Sequence, residues 1–276
     1  MRKIAITLFI AFCFAITIIS CGNGEASNKK QSNPPKLKSE IVKYTVDSLT
    51  MESYVVYDEN IVGSRPAILI IPEWWGLNEY AKRRANELAK LGYYAMAVDM
   101  YGFGRQANNP QEAGAMAGPF YKNPMMTKAH FGGALKYIKT NAQVDTSKIG
   151  AMGYCFGGAV VLNVARLGED LKGVVSFHGS LLGTPFNKNL LKAKVLVLHG
   201  QADQFVPATE VATFKQQMDS IGASYNLISY PGATHAFTNP DATATGKKFN
   251  IPIAYNATAD SASFDEMKKF FSEVLK

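Results

Sequence analysis

Residues 148–158 read KIGAMGYCFGG, and AVVLNVARLG follows at 159–168. The first apolar run predicts a strand covered on both faces, and the last predicts a helix. A cysteine at the junction has two readings. It can be a packing residue in a glycine-rich strand–helix turn, or the nucleophile of a G-x-nucleophile-x-G elbow. The elbow turn is so tight that side chains two positions to either side would collide, and its strain lifts the nucleophile off the sheet. Gly153 and Gly157 stand at those two positions, and Gly158 and Ala159 let the helix approach the strand. The helix amino terminus favours an anion at Cys155.

The same alternation extends outward. Residues 67–71, 93–98, 173–177, 194–200 and 224–232 read as further strands, and 78–92, 126–141, 208–222 and 261–275 as helices. Two alternating runs, 41–46 and 51–57, read as an antiparallel pair, and 99–114 reads as a loop. Buried strands alternating with amphipathic helices predict an α/β fold, a mostly parallel sheet with helices on both faces. Working residues in such sheets gather at the carboxyl ends of the strands.

The order of residues after the elbow points to chemistry. Asp203 lies just beyond the strand ending in LHG, and His235 just beyond the next strand, in GATHAF. Nucleophile, acid and histidine after successive strands is the chain order of the α/β-hydrolase triad. The histidine can take the thiol proton, and the aspartate can orient the imidazole. Upstream, IIPEWWGLN at 70–78 follows the first buried strand, where this fold supplies one oxyanion-hole N–H; the residue after the nucleophile supplies the other. These N–H groups belong to Trp74 and Phe156. Trp74 and Trp75 also read as a packing pair, with Trp75 a candidate substrate contact. His178, ending the strand after the elbow, is a candidate pocket residue. Asp99 reads as a turn or cap, His199 as a packing residue on its strand, and His130 as a surface or half-buried one. No HExxH, paired CxxC, Walker or GxGxxG pattern occurs, so no metal or cofactor is implied.

The amino terminus reads separately. Arg2 and Lys3 precede a continuous apolar run from Ile4 to Ile19, and IISC ends it. That is a secretory signal over 1–20. IISC resembles a bacterial lipobox, which makes Cys21 the lipidation site; an uncleaved anchor helix is the alternative. Residues 21–39, rich in Gly, Asn, Ser and Lys, read as a flexible tether, and 40–276 as one domain. Without the charges of leader and tether the net charge falls from +7 to +2. The basic balance therefore argues for a leader near anionic headgroups and against a nucleic-acid partner. The expected localisation is the bacterial cell envelope, lipid-anchored and facing the periplasm, with the outer membrane favoured by Gly22 after Cys21. Of three cysteines, only Cys155 falls in the body, so no internal disulfide is expected there.

PEWWGLN, GYCFGG, HGQADQFVP and GATHAF together resemble the dienelactone hydrolase family, over essentially the whole body from about residue 45. The resemblance implies an α/β-hydrolase fold, a Cys155–Asp203–His235 triad, and a role for Glu73, which in the family meets the resting thiol and helps generate the thiolate. It also implies a substrate carboxylate held by two arginines. Arg105 is similar in placement to one of them; where the other is expected, this chain has Thr238 and Asn239. The expected activity is hydrolysis of a small-molecule ester or lactone through an acyl-enzyme. A thiol-redox or peroxide-responsive protein and a non-catalytic binding protein on the same fold are the alternatives.

Overall fold

A computed structural model describes residue 1 and residues 34–276. The chain divides into Met1–Pro34 and Pro35–Lys276, and the second unit carries the sheet and its helices. The predicted signal, the lipidation site Cys21 and the tether up to residue 33 lie outside the described residues.

Eight strands form one sheet in the order β1-β2-β4-β3-β5-β6-β7-β8. The antiparallel pair β1 (Leu37–Val46) and β2 (Leu49–Asp58) occupies one edge. The chain turns between them at Asp47 and Ser48, both with positive φ. β2 also pairs antiparallel with β4 (Tyr94–Ala97). From β4 onward, β3 (Arg65–Ile71), β5 (Val144–Tyr154), β6 (Gly173–Phe177), β7 (Lys194–Gly200) and β8 (Tyr225–Tyr230) all run parallel. β1 begins at Leu37, inside the stretch read as tether, because Leu37, Lys38 and Ser39 pair with Asp58, Tyr57 and Val56.

The central strands read as unbroken apolar runs because both faces are covered. On one face α1 (Glu79–Lys90) and α7 (Ala257–Val274) bury Ala81, Ala85, Leu88, Met267 and Phe271 against Ile68, Ile70, Met152 and Leu196. On the other, α3 (Pro124–Ile138), α4 (Phe156–Arg166) and α5 (Ala208–Ser220) bury Phe131, Val160, Val164, Phe214 and Met218 against Leu69, Ile71, Ala151 and Val197. Asn78 and Asn123 cap α1 and α3 through their side chains, as residues at helix starts do.

Two helices depart from the expected pattern. α2 (Pro110–Lys122) occupies part of the stretch read as loop, and α6 (Ala242–Phe249) follows the His235 loop. α2 contains Gly114, Gly118 and Pro119, which weaken any helical signal. The Asn109 side chain accepting from the Glu112 N–H starts it nonetheless. His130, expected at the surface or half-buried, is buried on α3, its Nδ1 bonded to the Met100 carbonyl at 2.9 Å. Asp99 organises the turn after β4, accepting from the N–H groups of Glu52, Tyr101, Gly102 and Gly104.

Candidate active site

Cys155 is placed by the junction of β5 and α4. Its backbone has φ 54° and ψ −115°, a positive-φ conformation that a non-glycine residue holds only under the constraint of its surroundings. The glycines around it are sterically required. A Cβ on Gly153 would run into the Gly157 carbonyl, and one on Gly157 into the Ile71 carbonyl. A Cβ on Gly158 would stand 2.6 Å from Ser176 Oγ on the next strand. Two more non-glycine residues with positive φ, His178 (41°) and Ala236 (56°), sit beside it, so strain is concentrated here.

Asp203 and His235 come from the loops after β7 and β8. His235 Nδ1 and Asp203 Oδ2 are 2.8 Å apart. The other Asp203 oxygen accepts from the Phe205 and Val206 N–H groups at 2.8 and 3.2 Å, which fixes the carboxylate. Burial opposes a charge on His235. The facing Cys155 sulfur and the hydrogen bond to Asp203 more than offset it, and the imidazole is pushed up to about 10. Cys155, Asp203 and His235 thus form one connected group, with the imidazole between sulfur and carboxylate.

Glu73 lies at the end of β3 and is buried. Burial pushes its carboxyl up to about 7, against the lowering pull of Asn239 and of the His235 charge. Asn239 Nδ2 donates to Glu73 Oε2 at 2.7 Å, while Asn239 Oδ1 accepts from the Asp241 N–H at 3.0 Å. No hydrogen bond joins Glu73 to Cys155 among the described residues, so the glutamate is held here by Asn239 and not by the thiol implied by the resemblance.

The backbone N–H groups of Trp74 and Phe156 donate to no other protein group among the described residues. The Tyr101 hydroxyl donates to the Trp74 carbonyl at 3.0 Å and its ring stacks on Phe156, so one side chain braces both segments. Trp74 meets Trp75 edge to face, and Trp75 stacks on Phe249 of α6.

These groups open onto a cavity of about 340 Å³. Glu73, Trp74, Trp75, Cys155 and His235 line it. Sequence reading missed several contributors: Tyr121 from α2, Phe205 from the Asp203 loop, and Ile251 and Ile253 from the stretch after α6. Ile253 reaches the site through a parallel bridge to His235. Tyr121 and Phe205 are half exposed at its mouth.

Two expected substrate contacts are elsewhere. Arg105 turns back onto the Tyr101 and Gly102 carbonyls and lines a separate depression with Leu49 and Met116. Its loop is closed by the Asp99 turn, which keeps the guanidinium at home. His178 does not line the cavity but lies behind the elbow, almost fully buried. Its Nδ1 accepts from the Cys155 N–H at 3.1 Å and its Nε2 bonds Thr238 Oγ1 at 2.7 Å. Burial, and then the charge of His235, push its pKa well below the usual range. The neutral ring therefore carries its proton on Nε2.

A cysteine on a strained strand–helix turn, with an imidazole and a carboxylate after later strands, matches the layout of an α/β-hydrolase fold. The family model of the dienelactone hydrolase family matches residues 51–275. The chain belongs to that family and is a dienelactone hydrolase-like hydrolase. It is 31% identical over 190 residues to a protein of Methylorubrum extorquens provisionally named carboxymethylenebutenolidase; the match covers 63% of this chain and 64% of the relative. It is 29% identical over 179 residues to protein usf of Aquifex pyrophilus, covering 63% and 77% of the two chains. The crystal structure of a dienelactone hydrolase-like promiscuous phosphotriesterase from metagenomic libraries superposes with a TM-score of 0.81 at 32% identity, covering 87% of this chain and 99% of that one.

Proposed function

We propose that this hydrolase cleaves a carboxylic ester or lactone through a covalent thioester on Cys155. The single observation that carries the reading is the connected group of Cys155, His235 and Asp203 on the floor of an accessible cavity. The Cys155 sulfur attacks the carbonyl carbon, and the oxyanion forms against the free N–H groups of Trp74 and Phe156. His235 gives its Nε2 proton to the departing alkoxide as the C–O bond breaks. A water, deprotonated by the same nitrogen, then attacks the thioester; the C–S bond breaks and the acid leaves. Asp203 holds Nδ1–H throughout and so keeps Nε2 facing the sulfur.

Glu73 is the second acid–base group of the cavity. A carboxyl held near pH 7 can take or return a proton during the cycle. A redox-sensing role for Cys155 is less well supported, since no second cysteine lies among the described residues to resolve an oxidised sulfur. The amino-terminal sequence supports lipid attachment at Cys21 and a place on the bacterial envelope, with 34–276 facing the periplasm.

The test compares Cys155→Ala with the unaltered protein on 4-nitrophenyl acetate. Loss of turnover to the buffer rate in a variant with an unchanged unfolding transition is expected. Undiminished turnover ends the assignment.

A further inference from the structure

We infer that this cavity selects uncharged, apolar esters or lactones and rejects substrates that carry a carboxylate; the inference rests on the ester-hydrolase reading of the Cys155 site. Its walls are built from Trp74, Trp75, Phe205, Val206, Ile251 and Ile253, and among the described residues no lysine or arginine lines it. The titratable groups nearby leave no spare positive charge among the described residues. Glu73 lies in the wall and Asp203 behind His235, and the imidazolium is already matched by Asp203 and the facing sulfur.

The side-chain amide, aliphatic hydroxyl and guanidinium donors around the site are committed elsewhere, and the free N–H groups of Trp74 and Phe156 serve the reacting carbonyl. Asn239 gives its amide N–H to Glu73, and its carbonyl oxygen takes the Asp241 N–H. Thr238 Oγ1 lies between His178 and Tyr80. Ser180 Oγ, which also lines the cavity, donates to Glu210 at 2.8 Å. Arg84 is buried behind Thr238, with its guanidinium on Asp260, Glu87 and the Thr238 carbonyl. Arg105 is tied to its own loop. A carboxylate entering this space loses its water and meets an acidic wall that offers, among the described residues, no unpaired cation, which disfavours it strongly. A neutral acyl or aryl group meets indole and aliphatic carbon. The volume, about 340 Å³, sits at the small end of the range for small-molecule sites, so the substrate is small.

Two matched pairs of esters test this, one for each side of the scissile bond. The first is methyl 4-acetoxybenzoate against 4-acetoxybenzoate. The second is the 4-nitrophenyl ester of monomethyl adipate against that of adipate with its other carboxyl free. Each kcat/KM is divided by the uncatalysed rate for the same compound. The capped member of at least one pair should be preferred by ~100-fold or more, the scale expected when like charges meet in a desolvated site. Phe205→Arg, at the mouth, should narrow that ratio at least roughly tenfold, by adding the missing cation. Equal turnover of capped and free members in both pairs overturns the inference while leaving the hydrolase reading intact. Turnover of neither member overturns the reading and the inference with it.

Discussion

Replacing Glu73 by Gln should change stability in a way that depends on pH. The carboxyl is 3% exposed, so solvent screening offers little relief, and its folded value is raised from 4.5 to about 7. Folded protein therefore holds this proton more tightly than unfolded protein does. The associated stability is fully present below pH 4.5 and is lost as pH rises through 7. The difference between 4.5 and about 7 corresponds to about 3 kcal/mol at ~1.36 kcal/mol per pH unit. Gln cannot ionise, and its Oε1 can accept from Asn239 as the carboxylate does. His235, pushed up to about 10, stays charged in both proteins over this window and cancels in the comparison. Glu73→Gln should gain stability relative to the unaltered protein by about 3 kcal/mol between pH 4.5 and pH 8. That is on the order of 6–12 °C of unfolding midpoint for a domain of this size. Thermal unfolding of both proteins at a series of pH values reads it. A difference that stays flat with pH, or that grows toward acid, refutes the argument that burial sets the Glu73 proton affinity.

Three further expectations concern the groups around the sulfur and the amino terminus. Asp203→Asn removes the carboxylate that holds Nδ1–H and should lower kcat by roughly 10³–10⁴-fold, read as initial rates on an activated ester; a loss under tenfold contradicts the role. His178→Leu removes one of two acceptors of the Cys155 N–H, the Phe177 carbonyl being the other, and one of the partners of Thr238. It should cost about 1–3 kcal/mol of stability and slow alkylation of Cys155 by iodoacetamide, with partial recovery in His178→Asn; unchanged alkylation contradicts it. Cys21→Ser should move the protein from the membrane to the soluble fraction of expressing cells or block its processing, whereas unchanged membrane fractionation and mass argue against lipid attachment there.

The strand–helix turn at Cys155, the chain order of Cys155, Asp203 and His235, and the parallel sheet were legible because each is written locally. Glycines at fixed offsets from Cys155, and single acid and histidine residues just past apolar runs, need no knowledge of distant contacts. The cavity was not legible in this way. Tyr121 arrives on α2, whose glycines and Pro119 mask it as a helix, and Ile253 arrives by a bridge to His235 from beyond α6. Placement by analogy failed for Arg105 because the Asp99 turn curls its loop back on itself. His178 follows the strand beside the elbow, and a positive φ of 41° accompanies its position behind the sulfur, not before it. Asn239, whose side-chain amide holds Glu73, lies 166 residues away in sequence and carries no motif of its own.

The covalent intermediate itself is the most direct measure. Rapid acid quench of the protein with 4-nitrophenyl butanoate, followed by peptide mass mapping, should find one butanoyl group on the peptide containing Cys155, labile to hydroxylamine as a thioester is. A stoichiometric burst of nitrophenol with Cys155 unmodified, or with the acyl group on another side chain, would contradict the account.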